Sequence, residues 1–183
     1  MNLCVENLSY SFDGVHDLWK DVSLAVGKGD IFSIMGANGA GKSTLLHTVI
    51  GFLRPKTGQV YLENEGQKIY ADTAPKLFTE NIGYVPQLSD TAYSFAVKDY
   101  VVMGRSPHMG LFSQPSAKDR EMTDEVMRDM GLYEIRNRRF NTLSGGQQRQ
   151  AVIARAIVQE PQLIIMDEPT NHLDYGNQFR VVE

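Results

Sequence analysis

Gly36, Gly41, Lys42 and Ser43 stand at the spacing G-x-x-x-x-G-K-[ST], and the chemistry of that pattern is the holding of a nucleoside triphosphate. Glycines let a backbone close around an anion. Lys42 supplies charge near the β- and γ-phosphates, and the Ser43 hydroxyl is placed to ligate Mg²⁺. Asn38, Gly39, Ala40 and Thr44 complete the loop and the first turn behind it. A second set lies late in the chain. Leu143-Ser144-Gly145-Gly146-Gln147 leads into a helical pattern through Val158, Pro161 stops it, and the apolar run Leu163-Ile164-Ile165-Met166 ends in Asp167 and Glu168. Two carboxylates at a strand tip can divide one task, one acid holding hydrated Mg²⁺ while the other orients or deprotonates the attacking water. Taken singly, such an acidic pair is equally a strand end with solvated charges.

These residues need elements to position them. Ile31-Phe32-Ser33-Ile34-Met35 reads as a buried strand, and residues 44–50 as a helix whose first turn points free N–H groups at the phosphates. In an open parallel sheet ligands bind at the strand tips, so Asp167 and Glu168 are expected to face the phosphates that Lys42 serves. Residues 1–30 read as short strands, with Val22 to Val26 alternating, and Val60-Tyr61-Leu62 adds another after the turn at 55–58. The expectation is a small antiparallel layer. From about Thr91 to Glu160 the pattern is mostly helical, Ser116 to Asp119 offering caps for a helix through Met130 and Gly131 a stop.

Composition narrows the class without choosing within it. A hydrophobic content of 42% suffices for a core, and no apolar run approaches the roughly 20 residues of a membrane span. The first residues lack the basic region and long apolar core of a signal peptide. Cys4 is the single cysteine, so no intrachain disulfide is possible, which suits a reducing compartment. A net charge of −4 argues against a nucleic-acid platform, and the basic residues 136–139 read as a solvated face.

Together these motifs resemble the ATP-binding subunit of an ABC transporter, over essentially all 183 residues. The resemblance implies an α/β fold, a RecA-like P-loop NTPase core with an N-terminal antiparallel β layer and a helical subdomain inserted at about 91–160. Residues 143–147 match the family's signature, Ser144, Gly145, Gly146 and Gln147 serving in trans on the nucleotide of a second copy. Asp167 and Glu168 match the Walker B acids. Gly83 to Gln87 resembles the Q-loop, whose glutamine reaches Mg²⁺ and the attacking water. Asn171-His172-Leu173-Asp174 resembles the D-loop, with Asp174 as its acid. Leu8, Tyr10 and Phe12 alternate on one strand face; Phe12 is the preferred adenine-stacking residue and Tyr10 the reserve.

The implied cofactors are ATP and Mg²⁺. The implied partners are a second ATP-binding subunit, transmembrane permease subunits and, indirectly, a substrate-binding protein, with no nucleic acid. The place is cytoplasmic, on the inner face of the cell membrane. Residues near Tyr93, Phe95 and Val97 suit a membrane partner. Gly104-Arg105-Ser106-Pro107-His108 resembles a region of importers for ferric siderophores, haem and cobalamin and, in close relatives, molybdate; the alternative is a loop in which Gly and Pro make turns. The family also carries a switch histidine beyond the D-loop, for which His172, His16, His47 and His108 are poor matches, so the sequence is expected to be truncated at its C-terminal end. A soluble ABC clamp acting in translation or cofactor assembly is the second function class.

Overall fold

The computed structural model describes residues 1–87, 94–110 and 113–168, and divides the chain into two units, Met1–Ile82 and Gly83–Glu183. The first unit is organised by an antiparallel sheet of order β2-β1-β3-β4, with β1 at Asn2–Ser11, β2 at Asp17–Val26, β3 at Thr57–Asn64 and β4 at Gln67–Tyr70. The expected antiparallel layer is present, extended by β4, whose short polar run gave no strand signal. Val60, Tyr61 and Leu62 are buried beside Leu3 and Val5, so the sheet seals one apolar face.

The strict alternation expected of Leu8, Tyr10 and Phe12 does not hold. β1 slips in register between Val5 and Leu8 and again on to Ser11, Asn7 takes a φ of 48°, and Leu8, Ser9 and Tyr10 are buried in succession. These bulges twist the strand and end it at Ser11, which carries Phe12 outside it. Gly58 shows why glycine is needed at the facing position: at φ +86° a Cβ would collide with the backbone carbonyls of Glu6 and Asn7.

Residues 31–35 are not a strand. No regular structure forms there, and Ile31, Phe32 and Met35 are 81%, 52% and 90% exposed. A strand exists only through a neighbour's backbone, and no described strand pairs with this run; apolar composition alone cannot fold it. Helix α1 follows at Lys42–Val49, and a short α2 at Pro75–Glu80 seats the buried Phe78.

In the second unit, β5 (Ile82–Val85) pairs with β6 (Leu163–Met166), and the Asp167 amide extends the pairing to the Val85 carbonyl. Three helices, α3 (Val97–Val102), α4 (Ala117–Asp129) and α5 (Gly145–Ile157), surround a core of Val97, Val101, Met127, Leu132, Phe140 and Val152. Tyr100 and Phe140 stack with centroids 4.4 Å apart, and Val97 is fully buried, so Val97 cannot be the partner-facing residue it was expected to be. Its apolar side chain is worth more in the core than at a rim. Phe95 does remain half exposed, while Tyr93 lies outside the described residues.

The predicted α4 cap is present in full. Ser116 Oγ accepts from the Asp119 amide, and the Asp119 carboxylate accepts from the Ser116 amide and hydroxyl. Gly131 stops the helix at φ +68°. Hydrogen bonds from Ser116, with Arg105 beside them, hold the Asp119 carboxyl down at about 2 against an ordinary 3.8. Because the folded value is the lower one, this stabilisation is complete above 3.8 and fades as pH falls through about 2. Asp119→Asn is therefore expected to lower the thermal midpoint at pH 7, with the gap to wild type closing between pH 4 and pH 2; thermal scans across that range measure it.

Candidate functional site

The phosphate-loop residues lie in the first unit. Gly41 takes φ +86° and serves as N-cap of α1 with no side-chain cap, which leaves the amides of Lys42, Ser43 and Thr44 as the orphan donors of a helix start. A glycine is obligatory here twice over, since a Cβ would also approach Leu18 Cδ2 to 2.7 Å. Gly39 likewise has a positive φ, with open space around it. The Lys42 ammonium donates to the Gly36 carbonyl at 2.9 Å and the Ala37 carbonyl at 3.0 Å. Two of its three donors steady the loop. The loop from Gly36 to Ala40 is exposed along its length, Asn38 included.

The aromatic pair resolves by burial. Tyr10 is 8% exposed and packs on Trp19 at 5.6 Å, whereas Phe12 is 74% exposed and meets Tyr10 edge-on at 5.1 Å. Phe12 thus presents a free ring face, and Tyr10 does not.

The carboxylates lie in the second unit, at the tip of β6. Asp167 is buried at 5% exposure, and Glu168 takes φ +47°. A non-glycine residue in the left-handed region carries strain that only surrounding structure maintains, a condition concentrated at functional sites. Gln87, the second residue past β5, donates from Nε2 to Glu168 Oε2 at 2.7 Å. This contact joins the glutamine and the second acid across 81 positions of sequence. It engages the Nε2 end of the Gln87 side chain, whose other end is the Oε1 acceptor.

The signature segment caps its own helix. Ser144 Oγ accepts from the Gln147 amide, and Gln147 Oε1 accepts from the Ser144 amide, a reciprocal capping box at the start of α5. Gly145 has open space where a side chain would stand, so the helix start is bare toward solvent. Asp174 and the rest of the predicted D-loop lie outside the described residues.

The region 104–108 is a 3-10 turn, Met103–His108, that braces the helices. A Cβ on Gly104 would strike the Arg155 carbonyl, so only glycine lets the turn lie on α5. Arg105 is buried; it bonds Asp119 at 3.0 Å, the Val158 carbonyl at 3.0 Å and Glu160 at 3.0 Å, while His108 reaches the Gln159 carbonyl at 2.7 Å. Gly104 and Arg105, of the residues read as a marker of import class, are buried and close the C-terminal end of α5, while Ser106 and His108 are exposed. Arg136 and Arg138 are also occupied locally, on the Tyr133 and Thr142 carbonyls.

Two functional features escaped the sequence reading. The buried Arg149 and the Gln87–Glu168 contact depend on tertiary approach; the only local hint was a basic residue on the apolar face of α5. Among the described residues no cluster of three His, Cys, Asp or Glu side chains could hold a metal, and no helix is long and apolar enough to cross a membrane.

The family model described as ABC transporter matches residues 19–171. The chain is 36% identical to the molybdate import ATP-binding protein MolC of Haemophilus influenzae, over 96% of this chain and 63% of that protein. It is 32% identical to the chelated iron transport system membrane protein YfeB of Yersinia pestis, over 99% of this chain and 60% of that protein. Its fold superimposes on cbiO1 from Clostridium perfringens, part of the ABC transporter complex cbiONQ, with a TM-score of 0.80 at 28% identity, covering 98% of this chain and 70% of that one. The chain spans about two thirds or less of the length of these transport relatives.

Proposed function

The chain belongs to the ABC transporter family of ATP-binding subunits, and we propose that it binds and hydrolyses ATP to energise import of a metal-containing or oxyanion cargo. The single observation that carries the reading is the bare start of α1, with Gly41 in the left-handed region and Lys42 held over the loop by two carbonyls. Backbone donors and one ammonium there suit the phosphates of ATP, and Phe12 offers its exposed ring to the adenine.

The donor chemistry fits Mg²⁺, a hard cation satisfied by few protein oxygens together with phosphates and water. Asp167, the Gln87 carbonyl oxygen and the Ser43 hydroxyl are the residues that would hold it, and it would neutralise charge developing on the phosphates. Glu168 acts as the general base that orients and deprotonates the attacking water, and Gln87 moves off it to let the water in. The start of α5, with Ser144, Gly145, Gly146 and Gln147, donates to the nucleotide held by a second copy, and Asp174 belongs to the same dimer contact. Residues 91–160 form the helical subdomain of this ATP-binding cassette.

Iron-chelate cargo remains the favoured class, supported by the name of the Yersinia relative, although the Haemophilus relative is named for molybdate. Permease subunits and, through them, a substrate-binding protein are the partners, and the subunit works from the cytoplasmic face of the cell membrane. The test is a reconstitution of the subunit with candidate permease subunits, in vesicles loaded with ATP. Cargo uptake that tracks phosphate release is the expected result. Phosphate release with no partner bound and no uptake would overturn the transport reading.

A further inference from the structure

Arg149 is the buried charged side chain of α5, and the mechanism above leaves it unused. It is 2% exposed; its Nη1 donates to the Pro86 carbonyl at 2.9 Å, and among the described residues its Nε and Nη2 are buried without a partner. A buried guanidinium with idle donors is unfavourable, and a hydrophobic side chain of similar length would pack there at no such cost. Its position therefore calls for a reason, and its neighbours supply one. The buried Asp167 carboxylate provides the compensating charge: burial draws the guanidinium below its ordinary value and Asp167 opposes that. Pro86 is followed directly by Gln87, whose amide holds Glu168. Arg149 also lies one helical turn beyond Gly145, on the same face as the start of α5.

We propose that Arg149 is a positioning residue that makes the signature end of α5 and the Pro86–Gln87 backbone move as one, so that engagement of the signature draws the Gln87 amide away from Glu168. The guanidinium grips the carbonyl just before Gln87. A displacement of the helix start is passed through that hydrogen bond to the glutamine, and the general base is uncovered when the second copy arrives. This rests on the ATP-hydrolysis reading and extends it to how Glu168 is kept idle until the signature is engaged.

The test is a double-mutant cycle in the full-length subunit with Arg149→Met, Arg149→Lys and Gln87→Ala, read by steady-state ATPase and by hydrogen exchange at the Gln87 amide. Arg149→Met is expected to lower kcat about tenfold, the worth of one charge-assisted hydrogen bond, with KM for ATP within about twofold. It should also speed exchange at Gln87, and lysine should restore part of both. In the Gln87→Ala background the arginine substitution should add less than about twofold, since the two act through one link. Fully additive losses, or an unchanged kcat with only a lower thermal midpoint, would overturn the proposal. Where the methionine variant does not fold, the lysine variant supplies the same cycle. If wild-type subunit shows no ATPase activity, the hydrolysis reading fails, and Gln87 exchange, which needs no turnover, still decides whether the link exists.

Discussion

Lys42→Ala is expected to weaken ATP binding by about 10- to 100-fold, the loss of roughly 1.5–3 kcal/mol that a hydrogen bond to a charged group contributes. The substitution removes the ammonium that the Gly36 and Ala37 carbonyls hold in place, the cation proposed to meet the phosphates. Backbone donors of the loop and of the α1 start survive, so binding should fall and not vanish. Titration of a fluorescent ATP analogue into the full-length subunit and its variant measures the ratio. Lys42→Arg discriminates between charge and shape: it keeps a cation whose planar fork cannot sit on the same two carbonyls, and recovery should be small. Equal affinity in wild type and Lys42→Ala would remove the loop from the nucleotide site.

Glu168→Gln is expected to lower turnover by about 10²- to 10⁴-fold while leaving ATP affinity nearly unchanged. The amide keeps the size of the carboxylate and can still meet Gln87, so the strained backbone at φ +47° and the contact at 2.7 Å have no reason to rearrange. What is lost is the carboxylate proposed to accept the proton of the attacking water. A nucleotide-loaded dimer that no longer hydrolyses its ATP should accumulate, visible as a doubled mass in size-exclusion chromatography with ATP and Mg²⁺. Wild-type turnover from this variant would place the general base elsewhere and leave Gln87 capping a bystander carboxylate.

The readings that survived contact with the structure share a physical character. The loop at 36–44 and the Ser116–Asp119 cap are local: their hydrogen bonds close within three to six residues, so residue type and spacing suffice to specify them. The Ser144–Gln147 cap is equally local but was not read from the sequence. Strands β3 and β6 were legible because their apolar runs are short and bounded by turn residues. The run at 31–35 shows the limit of that logic. Its composition is as strand-like as that of β6, yet β6 has β5 to pair with and residues 31–35 have no described partner strand.

Burial separated residues that the sequence left level. Tyr10 and Phe12 differ by one bulge in β1, and that bulge decides which ring faces outward. Val97 and Phe95 are two positions apart, and one fills the core while the other remains half exposed.

By itself, then, the sequence determined the glycine-rich loop ahead of α1, the two acids at a strand tip, and the Ser116 cap of α4, because each is made by neighbours along the chain. Only the tertiary structure decided that Gln87 meets Glu168, that Arg149 grips Pro86, and that Gly104 and Arg105 pack on the end of α5. Those contacts join residues between 53 and 81 positions apart or rest on the close approach of two backbones. Such approaches are set by how helices and strands pack, which no local spacing encodes.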